Sequence, residues 1–376
     1  MLTHGAGDGG ARAPLALLAA LLLALGCGEP SAPSDAGLAD AARADAAVDA
    51  GLEGLRIPEP EALPIGELDA IRFGPGLQID VASVFSLEDT GAVTLAFETF
   101  TGDFAYAELW AVRSRDGRGF PIPRPLDFTE HALEASPSFV GTTLYFVGAD
   151  DLASAPVIYR GAVGLPEPLP AVPGVASLLS WPRLYAWGDR VALAFRDGAS
   201  RPMLATGDDP ESLGAPVLVG PETGGAMAAL GIFGDGTLAY AYQHPEGAEP
   251  MVSFVRRSSD GVSFTEPVRV TDASSNVHDT ALVARSDGGL DLYYLYPGAS
   301  GFVLHRRALM PDGRMGAEEQ VTADGAGEPS KPSGVRLPSG RVLVAWADIA
   351  ERHPTTGEPT RQDLVLASLP AEAAPP

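Results

Sequence analysis

"RRSSDGVSFTEPVRV", residues 256–270, carries Ser258, Asp260 and Gly261, followed by Phe264 and an alternating tail. Two readings of Asp260 compete. It is either a catalytic acid or the acceptor of a tight turn. In the second, its short carboxylate takes backbone N–H bonds, Gly261 adopts positive φ and Phe264 packs between sheets. Recurrence decides between them. "RSRDGRGFPIPRPL" (113–126) sets Ser114, Asp116, Gly117 and Phe120 in the same order, and Ser114 lies 144 residues before Ser258. A degraded version, "LMPDGRMG", occupies 309–316. A turn that returns at a fixed period belongs to a repeat scaffold.

The period itself comes from the surrounding strands. From residue 78 onward an apolar strand, a Gly turn and a second strand with alternating large residues recur, with no 3.6-residue periodicity. The second strands are "AVTLAFE" (92–98), "TLYFVG" (143–148), "RVALAF" (190–195), "TLAYAYQ" (237–243), "LDLYYLY" (290–296) and "RVLVAWA" (341–347). Their turns hold Gly91, Gly141, Gly188, Gly236, Gly288 and Gly340, at spacings of 47 to 52 residues. Strands alone at a period near fifty predict a β-propeller, each blade a four-stranded sheet. Six turns predict six blades.

The last blade is a strand short, because only "PAEAAPP" follows "QDLVLASL" (362–369). The segment "LRIPEPEALPIGE" (55–67) is similar to outer-strand segments elsewhere in the chain. Residues 57–66 are therefore expected to pair with 362–369 and close the ring, which removes two free edges. Prolines suit such an outermost strand.

The Ser-x-Asp-Gly pattern with its trailing aromatic resembles the Asp-box of sialidase-like propellers. Phe120 and Phe264 stand one residue nearer the Asp than the aromatic of that family. The resemblance implies a sialidase-like six-bladed fold in which these hairpins lie away from the active face. Ser114, Asp116, Gly117, Phe120, Ser258, Asp260, Gly261 and Phe264 are then structural.

A propeller binds at the funnel where its inner strands begin, using interblade loops and those between second and third strands. The first kind offers Glu130, His131, Arg183, His278, Asp279 and Lys331, with Trp181 beside Arg183. The second adds His244 and Asp348. Sialidases clamp a carboxylate with three arginines and use a Tyr/Glu pair with an Asp acid. Here the inner strands supply Arg183 and Lys331, with Arg72 at the entry of the first blade, and lysine cannot form a guanidinium fork. No Ser-His-Asp arrangement, phosphate loop, short-range metal-ligand spacing or cofactor fingerprint is present, so neither cofactor nor metal is expected. The expected function is binding of a protein, peptide or glycan without catalysis. The alternative is a sialidase-like exo-glycosidase acting on extracellular glycans.

Net charge bounds the partners. At −24, with Lys331 the only lysine among 25 basic residues, the chain repels phosphate backbones and acidic membrane surfaces. Membrane attachment must come from the N-terminus. There Arg12 precedes the apolar run 13–25, which is too short to span comfortably and reads as a signal peptide over 1–26. The run ends in "LALGC", which resembles the bacterial lipobox and implies lipidation of Cys27, the sole cysteine. Gly28 rather than Asp implies the outer membrane or cell surface. Residues 27–54, rich in Ala, Asp, Gly, Pro and Ser, read as a tether whose ends lie roughly 30 Å apart as a coil. The propeller is then 55–370, with a tail at 371–376, expected to be monomeric.

Overall fold

The computed structural model describes residues 55–56, 70–73 and 79–369. Short segments at 102–103, 122, 127–130, 162–165, 223–224, 246–250, 272–277, 300, 326, 353 and 356–358 are excepted. The expectations for the signal peptide, Cys27, the tether, the tail, residues 57–66 and Glu130 lie outside the described residues.

Antiparallel strands in chain order make up the structure. β1 (Leu55–Arg56) and β2 (Ala70–Phe73) come first. β3 (Ile79–Leu87), β4 (Val93–Phe100), β5 (Ala107–Ser114) and β7 (Arg124–Leu126) form one run of four, with β6 (Gly119–Phe120) pairing β1 instead. β8 (Leu133–Val140), β9 (Thr143–Ala149), β10 (Val157–Arg160) and β11 (Glu167–Pro168) form another. These two runs meet at a single parallel pair, Ala107 with Leu133, and so make one eight-stranded sheet. Four separate four-stranded sheets follow. They are β12 (Arg183–Trp187) to β15 (Val217–Leu218) through β13 (Arg190–Arg196) and β14 (Pro202–Gly207), then β16 (Ala226–Ile232), β17 (Leu238–Pro245), β18 (Met251–Ser258) and β19 (Val268–Arg269). Next come β20 (His278–Ala284), β21 (Leu290–Pro297), β22 (Phe302–Leu309) and β23 (Met315–Gln320). Last are β24 (Pro329–Arg336), β25 (Val342–Arg352) and β26 (Pro359–Leu369), joined by β2. The architecture is an all-β propeller.

Each second strand is covered on both faces, which is why Val191 to Phe195 reads as a continuous apolar run and is buried throughout. Apolar clusters fill the spaces between successive sheets. Leu193 and Phe195 pack towards Leu133 and Tyr145, whereas Ala192 and Ala194 pack towards Tyr240 and Tyr242. The strand alternation thus feeds two interfaces at once. The six turn glycines all have φ between 61° and 86°, so a turn of one geometry recurs around the ring.

Closure uses a different segment from the one expected. Ala70–Phe73 pairs antiparallel with Leu364–Ala367, and Leu55–Arg56 lies instead beside Gly119–Phe120. The reason is donor supply. The run "AIRF" is free of proline, so each N–H on its β26 side can donate, whereas Pro58, Pro60 and Pro64 interrupt 57–66. Packing completes the ring, since Phe97 and Val112 of the first sheet share a core with Leu343 and Leu366 of the last.

Candidate binding site in the central channel

β3, β8, β12, β16, β20 and β24 converge on a central cavity of about 310 Å³. The pairing register shifts along five of them, between Ile79 and Ala82, Ala135 and Ser138, Ala226 and Ala229, His278 and Thr280, and Ser330 and Ser333. Such bulges kink a strand and re-aim its side chains. Ser136, Asp279 and Lys331 fall in these shifts with φ of 51°, 40° and 48°, and Trp181 adopts 48° just ahead of β12. Non-glycine residues at positive φ are costly, and their repetition at one level marks a strained collar at the channel mouth.

Side chains around the collar are coupled. The Lys331 ammonium lies 5.1 Å from the Trp181 ring centroid, and the Lys331 N–H donates to Asp279 Oδ2 at 2.9 Å. Trp181 in turn meets Phe100 edge-on. Ser83 and Ser333 hydroxyls are 2.7 Å apart, joining the first inner strand to the last. Ser138 Oγ accepts the Leu184 N–H at 3.0 Å. Behind the collar the fully buried Glu98 accepts the Ser136 N–H. Arg183 also lines the cavity, and its Nε and Nη2 are buried without a hydrogen-bond partner.

Of the expected funnel residues, Arg183, Asp279 and Lys331 are brought together here. His278 begins β20, immediately before Asp279 in sequence. The others are not cavity-lining residues. His131 sits towards the outer strands of its sheet, its Nδ1 2.8 Å from Asp150 Oδ1 and its Nε2 3.0 Å from the Tyr159 hydroxyl. Gly148 makes room for that pair, because a Cβ there would lie 2.7 Å from the imidazole. His244 is near the end of β17, opposite Val252. Asp348 is not a rim group either, being 3% exposed and accepting the Glu328 N–H at 2.6 Å. Loop length hid its burial, because β25 runs on past it to Arg352.

The turn residues occupy the opposite ends of their strands. Asp260 Oδ1 accepts N–H bonds from Val262 and Ser263 at 2.8 and 2.7 Å, and Ser258 Oγ accepts the Gly261 N–H at 2.8 Å. The bonds from Ser263 and then Val262 hold the Asp260 carboxyl well below the usual carboxylate range. Gly261, at φ 77°, lies against Trp187 and Thr206 of the preceding sheet. Asp116 repeats the arrangement with Arg118 and Gly119, and Gly117 lies against Leu337. Phe120 is buried, and Phe264 packs T-shaped on Tyr240. Asp312 keeps one such bond, from Arg314.

Sequence reasoning missed a second periodic device. Arg256 on β18 donates to the Val219 carbonyl of the preceding sheet, and Arg307 on β22 donates to the Val270 carbonyl at 2.7 Å. The signal was available, since the two arginines stand one period apart in the third strands.

No family model matches the sequence, and no curated protein matches it. Solved structures do resemble it. A protein of unknown function from Dyadobacter fermentans superposes with a TM-score of 0.62 at 15% identity, covering 81% of this chain and 99% of that one. The NanB sialidase of Streptococcus pneumoniae gives 0.61 at 9%, covering 82% and 71%. The α-L-arabinanase of Penicillium chrysogenum, complexed with arabinobiose, gives 0.56 at 15%, covering 84% and 97%. The likeness is one of fold.

Among the described residues no group of three or more His, Cys, Asp or Glu side chains is placed to hold a metal ion.

Proposed function

We propose that this protein is a six-bladed propeller, anchored to the outer membrane or cell surface through a lipidated Cys27, that binds an envelope or extracellular protein or glycan at the mouth of its channel without cleaving it. The six-blade count treats the eight-stranded sheet as two blades, since a single residue pair joins its halves. The anchor rests on the apolar run ending at the sole cysteine.

One observation carries the preference for binding. Among the described residues lining the cavity, Asp279 is the only carboxylate, and its Oδ2 already accepts the Lys331 N–H. Glycoside hydrolysis of the common kind needs two carboxyl groups flanking the bond, roughly 5–9.5 Å apart. Trp181 and Lys331 instead offer an aromatic face and a cation, groups suited to recognition. The partner is neither nucleic acid nor a bare acidic membrane, because the net charge of −24 opposes both.

The second reading, an exo-acting glycosidase, draws on the fold shared with a sialidase and an arabinanase. A glycan array followed by hydrolysis assays on aryl sialosides and aryl arabinosides separates the two. Retention of glycans with no turnover supports the binding reading. Turnover that Asp279→Asn abolishes would replace it with the glycosidase. For the anchor, Cys27→Ser is expected to leave the protein unlipidated in the aqueous phase of a detergent partition, and an unchanged partition would refute lipidation.

A further inference from the structure

One side chain crosses the mouth of the channel. Round the ring, β3 and β8 stand between β24 and β12 on one side, and β20 and β16 on the other. Lys331 of β24 and Trp181, which leads into β12, therefore face each other across the opening. The Lys331 ammonium nevertheless lies 5.1 Å from the Trp181 ring centroid. The stem of this lysine spans the mouth.

Both ends of that bar are positioned by backbone. Lys331 has φ of 48° and its N–H donates to Asp279 Oδ2 at 2.9 Å. Trp181 has φ of 48° as well, its N–H donates to the Leu178 carbonyl at 2.9 Å, and its ring meets Phe100 edge-on. Each is followed by a buried proline, Pro332 or Pro182. Only the flexible lysine stem is left to move. On β24 the cavity is lined by Lys331, Pro332, Ser333 and Gly334, so it runs inwards from the level of the bar. Its volume of about 310 Å³ is at the lower end for a small-ligand pocket. A cation on a tryptophan face favours contact roughly 2- to 30-fold over separation. The bar is thus in place most of the time and lifts by the motion of one side chain.

We propose that Lys331 is a gate: its side chain, held on Trp181, bars the mouth, and whatever enters the cavity from that side must first lift it off the ring. Entry is slowed by the fraction of molecules in which the bar is closed. The gate is read without any ligand, so it stands or falls separately from the binding reading.

The test places a reporter beneath the bar. Ser333 lines the cavity two residues inwards of Lys331. In the full chain carrying Cys27→Ser, Ser333→Cys introduces the sole thiol, because Cys27 is the only natural cysteine. Its rate of reaction with N-ethylmaleimide measures entry, and the reagent is neutral, so charge does not steer it. Adding Lys331→Ala should speed the reaction about fivefold, within the range that the contact sets. Loss of a nearby cation by itself raises a thiol pKa and slows its reaction, so the expected rise runs against that effect. Lys331→Met keeps the stem without its charge, and Trp181→Leu removes the seat. Each should also speed the reaction in protein shown by its melting curve to be folded. If Trp181→Leu does not fold, Lys331→Met carries the same test. Equal rates with and without Lys331→Ala would overturn the gate. A rate in Lys331→Met as slow as in the parent would overturn the hold of the cation on Trp181.

Discussion

Lys331 Nζ lies 5.1 Å from the centroid of the Trp181 ring, although Lys331 belongs to β24 and Trp181 leads into β12, two inner strands that are not neighbours. β24 packs on β3 and β20, and β12 packs on β8. The contact therefore spans the channel mouth instead of following the ring. It joins the only lysine of the chain to one of four tryptophans. Both residues are left-handed and both precede a proline, Pro182 or Pro332. Lys331→Met keeps the length of the chain and removes the charge. It should lower stability by about 1 kcal/mol, the scale of a cation–π contact shielded from water. Urea unfolding with an unchanged m-value measures it, and no shift would show that the contact is loose in solution.

Asp260→Ala removes the acceptor of the Val262 and Ser263 N–H groups. Gly261 would then lose the turn that seats it against Trp187 and Thr206. A fall in melting temperature of about 3 °C is expected. Ligand binding at the channel mouth should be unchanged below the transition, since this turn is at the far end of β18 from His244 and Gln243 pairing. Lost binding with an unchanged melting temperature would make Asp260 a functional group.

The turn aspartates also set an acid limit. Burial tends to raise Asp116, but its bonds from Arg118 and Gly119 outweigh that and lower it, and Asp260 is lowered by Ser263 and Val262. Carboxyls depressed in the folded state contribute stability that is present above their unfolded pKa, near 3.8, and lost as pH falls through the folded values. At the other end, burial first, then nearby acidic groups, raises Tyr293 and Tyr294 above 10. Their contribution is present below pH 10 and declines as pH rises past it. Melting temperature should therefore be flat from about pH 5 to 9 and fall on either side. A maximum below pH 4 would contradict the acid half of this argument.

The sheet after β19 is tied to the last one by a buried charge cluster. Asp291, with a side chain 2% exposed, accepts from Arg285 Nη1 at 2.8 Å and lies 3.6 Å from Arg336. Asp291→Ala leaves two enclosed guanidiniums short of a carboxylate. The expected cost is about 3 kcal/mol, towards the lower end for a broken buried pair because Arg285 retains Asp287. Equilibrium unfolding checks it. A change under about 1 kcal/mol would mean that water already screens the cluster.

How much of this was legible in the residues depends on the kind of constraint. The turns were readable because Gly91 and its counterparts satisfy a backbone requirement that few other residues meet, so spacing survives in the sequence. Second strands were readable because burial on both faces leaves them apolar. Arg183, Asp279 and Lys331 were reachable by position, once each was placed on an inner strand. Asp348 was misjudged because its fate depends on the Glu328 N–H, a partner set by tertiary approach. The collar was invisible for a related reason. Ser136, Trp181, Asp279 and Lys331 share a conformation and a level but no chemistry, so no residue pattern announces them.

Closure supplies the last prediction. β26 is held between β25 and β2, and Leu364 and Leu366 are fully buried there. Removing residues 28–54 takes only the expected tether and should leave the melting temperature unchanged. Removing 28–69 takes β1, two residues beside Gly119–Phe120, and should cost little. Removing 28–73 takes β2 as well and leaves the Leu364–Ala367 ladder open to solvent. An unpaired apolar edge invites pairing with another chain, and a ring depends on every interface between neighbours. The third truncation should therefore melt markedly lower and aggregate, while the first two remain monomeric by light scattering. If 28–69 already behaves like 28–73, the segment ahead of Ala70 also seals the ring. If all three behave alike, β2 is dispensable and closure rests on the core shared by Phe97, Val112, Leu343 and Leu366.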